Sequence, residues 1–299
     1  MAAPIRHAVP AIPIPSGSPP GPGRPSALTG AEVRWLAHHE ACAHALVSRD
    51  VRDLGDAILL HDPTDREPFW NRLAGIDWPA GAAAFDRRLT EMLALFAGLD
   101  RVPHVWPMPG FDEPLDLLER LLANGFVDDR GGLLLALDPA RAVQPPLLDV
   151  AAGVTLERIH GMVGPAAAAA ARAIASVLVA SFAVEPERRV AVELEAVQGL
   201  TTDAYHVVLA RVDGVPAAVA RRTTFGGASY LSSIGTDPAF RARGLGRLVT
   251  AAVVADALAA GSRWTYLGVY EENAVARRMY GSLGFVQIGG PAPDLLLRP

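Results

Sequence analysis

The hexapeptide Arg241-Ala242-Arg243-Gly244-Leu245-Gly246 decides how this chain reads. Before it, Tyr230-Leu231-Ser232-Ser233-Ile234 is an aromatic and β-branched run that predicts a buried strand. After it, Leu245, Leu248, Val249, Ala252 and Val253 recur at helical spacing until Gly261 supplies a cap. The hexapeptide is therefore a strand-to-helix turn. Its glycines let the backbone approach a ligand, and the first helical amides point outward with no intrahelical partner. With the helix dipole these amides make an anion site suited to phosphate. Arg241, Arg243 and Arg247 surround it with fixed positive charge.

Two common phosphate-binding turns do not fit. A dinucleotide turn wants a third glycine three residues after the second, and Val249 stands there; residues 264–270 also carry no acidic residue for a ribose. A Walker loop needs a lysine, and the chain has none. The segment instead resembles motif A of the GNAT superfamily of acyl-CoA-dependent N-acyltransferases, Arg/Gln-x-x-Gly-x-Gly/Ala. A second stretch, Asn273-Ala274-Val275-Ala276-Arg277-Arg278-Met279-Tyr280-Gly281-Ser282-Leu283-Gly284-Phe285, resembles the other GNAT signature, one helix and one strand further on.

At 299 residues the chain has room for two domains, and with 51% hydrophobic residues it can bury a sizeable core. A net charge of −5 argues against a nucleic-acid partner. All 27 basic residues are arginine, which with abundant Ala and Pro reads as genomic bias rather than a functional patch. The single cysteine, Cys42, excludes an intrachain disulfide and fits a reducing cytoplasm. No apolar run is read as long enough to span a membrane, and no metal is expected. A helix from Thr29 carries His38, His39, Glu40, Cys42 and His44, but a zincin needs His-Glu-x-x-His and Ala43 occupies the final position. Those residues read as a polar helix rim.

Four regions follow. Residues 1–28 are a Pro/Gly/Ser-rich disordered tail. Residues 29–138 alternate strand and helix and close a helix on Gly125-Phe126, as Gly284-Phe285 does later, which suggests a degenerate GNAT-like domain. No glycine turn precedes its helix at 83–96, so acyl-CoA binding is not expected there. Residues 102–106 read as an edge strand, because Pro103 cannot donate to a central ladder. The proline-rich stretch 139–151 is a linker. Residues 152–299 then follow the GNAT order, with a hairpin at Asp213-Gly214. The resemblance implies a tandem α/β (α+β) GNAT fold, with central mixed, largely antiparallel sheets flanked by helices.

It also implies the chemistry. Acetyl-CoA would be the donor and a primary amine of a small molecule or amino acid the acceptor, with direct transfer. Ile234, Gly235 and Thr236, on a strand that splays from its neighbour in the family, would bind the pantetheine arm and acyl carbonyl. Arg241, Arg243, Gly244, Leu245, Gly246 and Arg247 would hold the pyrophosphate, and Asn273 would contact the donor. Tyr280, two helical turns from Asn273, corresponds to the family tyrosine that protonates the departing thiolate. The general base is unassigned, since residues 229–234 contain no Asp, Glu or His; Glu193, Glu195, Glu271 and Glu272 read as surface charges. Tyr230 and Ser232 are alternatives that would order a water. Alternatives to this function are a mycothiol synthase-like tandem acetyltransferase and a non-catalytic acyl-CoA-binding regulatory module; a homodimer stays open.

Overall fold

The computed structural model describes residues 25–138, 141 and 152–298. Most of the expected tail, and the expected linker apart from Arg141, lie outside the described residues. The described residues begin inside the expected tail, where Pro25–Ala27 is a 3-10 turn lying against β12 (Phe285–Ala292). Thr29 and Glu32 form a capping box, each side chain accepting from the other's backbone amide, and start α1 (Gly30–Ala45) where the sequence placed a helix.

The N-terminal half continues as β1 (Asp50–Asp53), β2 (Ile58–His61), β3 (Arg72–Ala74), α2 (Ala82–Gly98), β4 (His104–Trp106), α3 (Leu117–Ala123), β5 (Val127–Asp128) and β6 (Gly132–Leu137). The C-terminal half gives β7 (Val154–Ile159), α4 (Gly164–Phe182), α5 (Arg189–Leu200), β8 (Tyr205–Val212) and β9 (Val215–Phe225). There follow β10 (Ala228–Thr236), α6 (Leu245–Ala259), β11 (Trp264–Tyr270), α7 (Ala274–Ser282), β12 and β13 (Leu295–Leu296). Asp213 and Gly214 both have positive φ, 49° and 83°, as a tight hairpin between β8 and β9 requires.

Two mixed sheets result, in the orders β1-β2-β3-β4-β13-β5 and β12-β6-β11-β10-β9-β8-β7. The order β3-α2-β4-α3-β5 repeats as β10-α6-β11-α7-β12, and each set contains one parallel pair, β3 with β4 and β10 with β11. The tandem GNAT architecture expected from sequence is present. What the sequence did not suggest is an exchange of strands. β6, from the N-terminal half, sits between β11 and β12; β13, the last strand, sits between β4 and β5. β6 suits a central position because it is apolar on both faces. Leu133, Leu135 and Leu137 enter one core, and Leu134 and Ala136 another.

The exchange also corrects the reading of residues 102–106. β4 is a central strand, and Pro103 stands just before it, where its carbonyl accepts from Leu297 N at 3.0 Å. A second correction concerns α4. By length and composition it is apolar enough to cross a membrane. One face of it, with Ala167, Ala171, Ile174 and Val177, packs with α5 over β8 and β9. α6 and α7 cover the opposite face of that sheet. α1 also crosses to it: Trp35 and Leu36 pack with Tyr230, Trp264 and Tyr266.

Candidate active site

The parallel ladder between β10 and β11 covers only Ala228–Trp264, Ser229–Thr265 and Tyr230–Tyr266. Beyond Tyr230 the strands part, although β10 stays paired to β9 and β11 to β6. A bulge between Ser232 and Gly235, with Ser233 at φ 49°, bends β10 away. The splay expected from the family is therefore present, and a cleft of about 410 Å³ occupies it. Leu231 to Ile234 form one wall and Leu267 to Tyr270 the other, while Asn273, Ala276 and Tyr280 enter from α7.

Tyr280 is buried and T-shaped against Phe285, with centroids 5.9 Å apart. Burial pushes its phenol up to about 12, so it is fully protonated at neutral pH. Asn273 is the N-cap of α7, its Oδ1 accepting from Ala276 N at 3.1 Å. Capping and cleft lining coexist in this residue.

The glycine turn lies beside this cleft and contributes nothing to its lining. Asp237 caps the 3-10 turn Pro238–Phe240 through Ala239 N, Ala242 adopts φ 61°, and Gly244 adopts φ 74° at the start of α6. The two glycines have different causes. A Cβ at Gly244 would meet nothing within 4 Å, so this position opens outward at the helix N-terminus. A Cβ at Gly246 would stand 3.1 Å from Thr236 Oγ1, so this glycine lets α6 start close against the end of β10. Gly235 likewise serves packing: a Cβ there would lie 2.7 Å from Ser181 Oγ and 2.8 Å from its Cβ.

The arginines are partly engaged. Arg241 donates to Ser181 O (3.1 Å) and Thr236 O (3.3 Å), joining α4 to β10. Arg247 Nε reaches Ser282 Oγ at 3.5 Å, and Arg243 lies over the Phe240 ring.

The structure also assembles groups that sequence reasoning misplaced. The supposed polar rim of α1 is buried: His38, His39, Glu40 and His44 are all at or below 6% exposed. Glu40 accepts from Arg72 Nη2 at 2.6 and 2.7 Å and meets His44 Nε2 at 2.9 Å. Burial alone would raise the Glu40 carboxyl, but Arg72 and then His44 hold it down at about 2. Burial takes His44 down to about 4 against the pull of Glu40. Glu195 is no surface charge either. It accepts from Arg49 at 2.7 Å and Arg221 at 2.6 Å, and these two offset its desolvation to leave it at about 2. Ser232 accepts from Arg221 Nε at 2.7 Å.

His44, Phe69, Trp70, Trp106 and Arg130 bring the N-terminal half into the cleft. The four-residue spacing of Glu40 and His44 was legible as one helix face. That this face meets β3 and β10 was not.

Among the described residues, the N-terminal half shows no counterpart to the open wedge. Where β3 and β4 part after Ala74 and Trp106, residues 108–113 fill the gap. Ile76 N and Met108 N donate to the Asp112 carboxylate at 3.0 and 2.7 Å, Glu113 N donates to Ile76 O, and Trp78 N donates to Glu113 O.

With this geometry in place, sequence and structure comparisons agree. Residues 172–285 match the family model described as acetyltransferase (GNAT) family. This part of the chain belongs to the GNAT family. A search of curated proteins finds no match. Among solved structures, a GCN5-related N-acetyltransferase from Kribbella flavida is similar at TM-score 0.64 and 22% identity, over 87% of this chain and 95% of that one. A tandem GNAT protein from the clavulanic acid biosynthesis pathway is similar at TM-score 0.59 and 15% identity, over 91% and 98%. A GCN5-related N-acetyltransferase from Sphaerobacter thermophilus is similar at TM-score 0.56 and 17% identity, over 83% of each chain. At these identities the structural likeness speaks for the fold alone. The GNAT match over residues 172–285 supports an acyltransferase, and the GNAT fold implies acyl-CoA as the donor.

Proposed function

We propose that the protein is an N-acetyltransferase that moves an acetyl group from acetyl-CoA directly to a primary amine of a small molecule or amino acid. One observation carries this reading: a splayed β10/β11 wedge, open at its centre, with a protonated Tyr280 on its wall and a glycine-bearing helix N-terminus beside it. Gly244, Leu245, Gly246 and Arg247 would hold the pyrophosphate on the first-turn amides of α6, and the open space at Gly244 suits that role. Arg243 would add charge, while Arg241 would shape the turn through Ser181 and Thr236. Ile234, Gly235 and Thr236 offer the unpaired edge of β10 to the pantetheine arm, and Asn273 would steady it from α7. A backbone amide aimed at the developing oxyanion contributes a few kcal/mol.

The role of Tyr280 follows from its environment. A phenol near 12 is a weaker acid than an ordinary thiol near 8.5, so complete proton transfer to the thiolate would run uphill. The hydroxyl serves best as a hydrogen-bond donor to sulfur while the C–S bond breaks, with the amine supplying the net proton. The test is release of free thiol from acetyl-CoA against a panel of primary amines. Amine-dependent release supports the reading, and acetyl-CoA binding without turnover on any amine contradicts it.

A further inference from the structure

We propose that His44, carried by the N-terminal half, is the general base of this acyl transfer, and that Glu40 is its positioning residue. The inference rests on the acyltransferase reading above. The strand that leads into the glycine turn has no Asp, Glu or His between positions 229 and 234, so no base arises within β10 itself. His44 comes to it from outside. Its ring lines the cleft and meets the Tyr230 ring edge-on at 5.4 Å, at the point where β10 and β11 part.

The tautomer is set by the neighbour. Glu40 is ionised and can only accept, so His44 Nε2 carries the proton in their 2.9 Å contact. Arg72 grips both carboxylate oxygens and holds Glu40 in place. His44 Nδ1 is then left with a lone pair. It is buried, has no hydrogen-bond partner, and lies among the rings of Phe69, Trp70 and Tyr230. A buried acceptor without a donor is costly, and a site that waits for a substrate N–H explains its retention.

The charged and titratable groups around His44 are Glu40 on its own helix, Arg49 after it, Arg72 on β3 and Tyr230 on β10. Burial keeps the imidazole neutral at working pH. So weak a base does not deprotonate a free alkylammonium, whose pKa is about 10.4. It acts on the adduct. The neutral amine adds through its lone pair to the thioester carbon, the C=O electron pair moves onto oxygen, and the new C–N bond makes that nitrogen acidic. Its proton passes to Nδ1, giving an imidazolium beside the Glu40 carboxylate. The oxyanion re-forms C=O, the C–S bond breaks and the thiolate leaves; it is protonated to the thiol as the imidazolium gives up its proton, so the amine's proton ends on sulfur and His44 is neutral again. The acceptor amine reaches Nδ1 by entering the aromatic collar, and contacts of this kind tighten only in the loaded enzyme.

The full chain is assayed with acetyl-CoA and whichever amines of a panel of amino acids, diamines and aryl amines support thiol release. His44→Gln is expected to lower kcat by about 10² or more while acetyl-CoA affinity stays within about twofold. Glu40→Gln is expected to lower kcat with little change in KM. Histidine ¹⁵N NMR of the wild type at pH 7 is expected to show a neutral Nε2–H ring at His44, and Glu40→Gln is expected to admit the Nδ1–H form. Turnover by His44→Gln within about threefold of wild type overturns the proposal and leaves the acyltransferase reading standing. An Nδ1–H ring or an imidazolium in the wild type overturns it too, even if the variants fail to fold. Absence of turnover on every amine overturns both.

Discussion

Tyr280 and Gly244 are the residues on which the donor side of the site turns. Tyr280→Phe keeps the ring against Phe285 and removes only the hydroxyl. We expect kcat to fall by about 10²-fold, with acetyl-CoA affinity unchanged by calorimetry; unchanged turnover would end its proposed role. At Gly244 the surrounding space accommodates a side chain, although φ 74° adds strain of about 1 kcal/mol for any other residue. Gly244→Glu therefore folds with a small loss of melting temperature but puts a carboxylate where the pyrophosphate would sit. Acetyl-CoA binding is expected to disappear, and retained affinity would place the phosphates elsewhere.

At the scale of elements, the exchange of β6 and β13 makes each sheet depend on the other half of the chain. Leu295 and Leu296 are almost fully buried in the N-terminal sheet, and burying such a side chain is worth about 1.5–3 kcal/mol. Removing residues 294–299 is therefore expected to lower the melting temperature and unfold the N-terminal core first, read by hydrogen exchange in α2 and α3. Equal protection in the truncated chain would show that β13 is dispensable. The meeting of α4 and β10 is as tight. Gly235→Ala forces a Cβ against Ser181, and overpacking of this kind costs about 1–3 kcal/mol. Thermal unfolding of that variant measures the cost, and because Arg241 spans the same contact, the shape of the glycine turn is coupled to it.

At the scale of the whole molecule, buried titratable groups make stability depend on pH in a definite direction. His39 and His44 are lowered by burial from 6.5 to about 4, so below pH 6.5 the unfolded chain takes up two protons that the folded chain refuses. Asp112 opposes this. Burial raises its carboxyl from 3.8 to about 7, so over the same range the folded chain gains one. The unfolded chain stays about one proton ahead between pH 6.5 and 4, a loss of roughly 1.4 kcal/mol per pH unit. Below 4.5, Glu40 and Glu195, both held at about 2, deepen the loss. Denaturant midpoints measured from pH 8 to pH 4 are expected to fall from about 6.5 downward. A constant or rising midpoint would contradict this balance of buried groups.

Much was legible in the sequence because it rests on local physics. The glycine turn, the Asp213-Gly214 hairpin, the Thr29 capping box, the strand 264–270 and the apolar run of β6 depend on neighbours within a few positions. Phosphate-binding shape and helical period are written at that range. The sequence also carried the likeness to a family, and with it the donor. Tertiary structure alone decided which sheet β6 and β13 join, because register and apolar pattern specify a strand but not its partner. It alone turned the rim of α1 inward. Glu40 and His44 read as a polar rim and Glu195 as a surface charge until β3, α5, β9 and β10 fold over them and bring Arg72, Arg49 and Arg221 to their side. Buried charges need partners, and theirs come from up to 146 positions away. The acceptor wall is built from both halves for the same reason, and no window of sequence contains it.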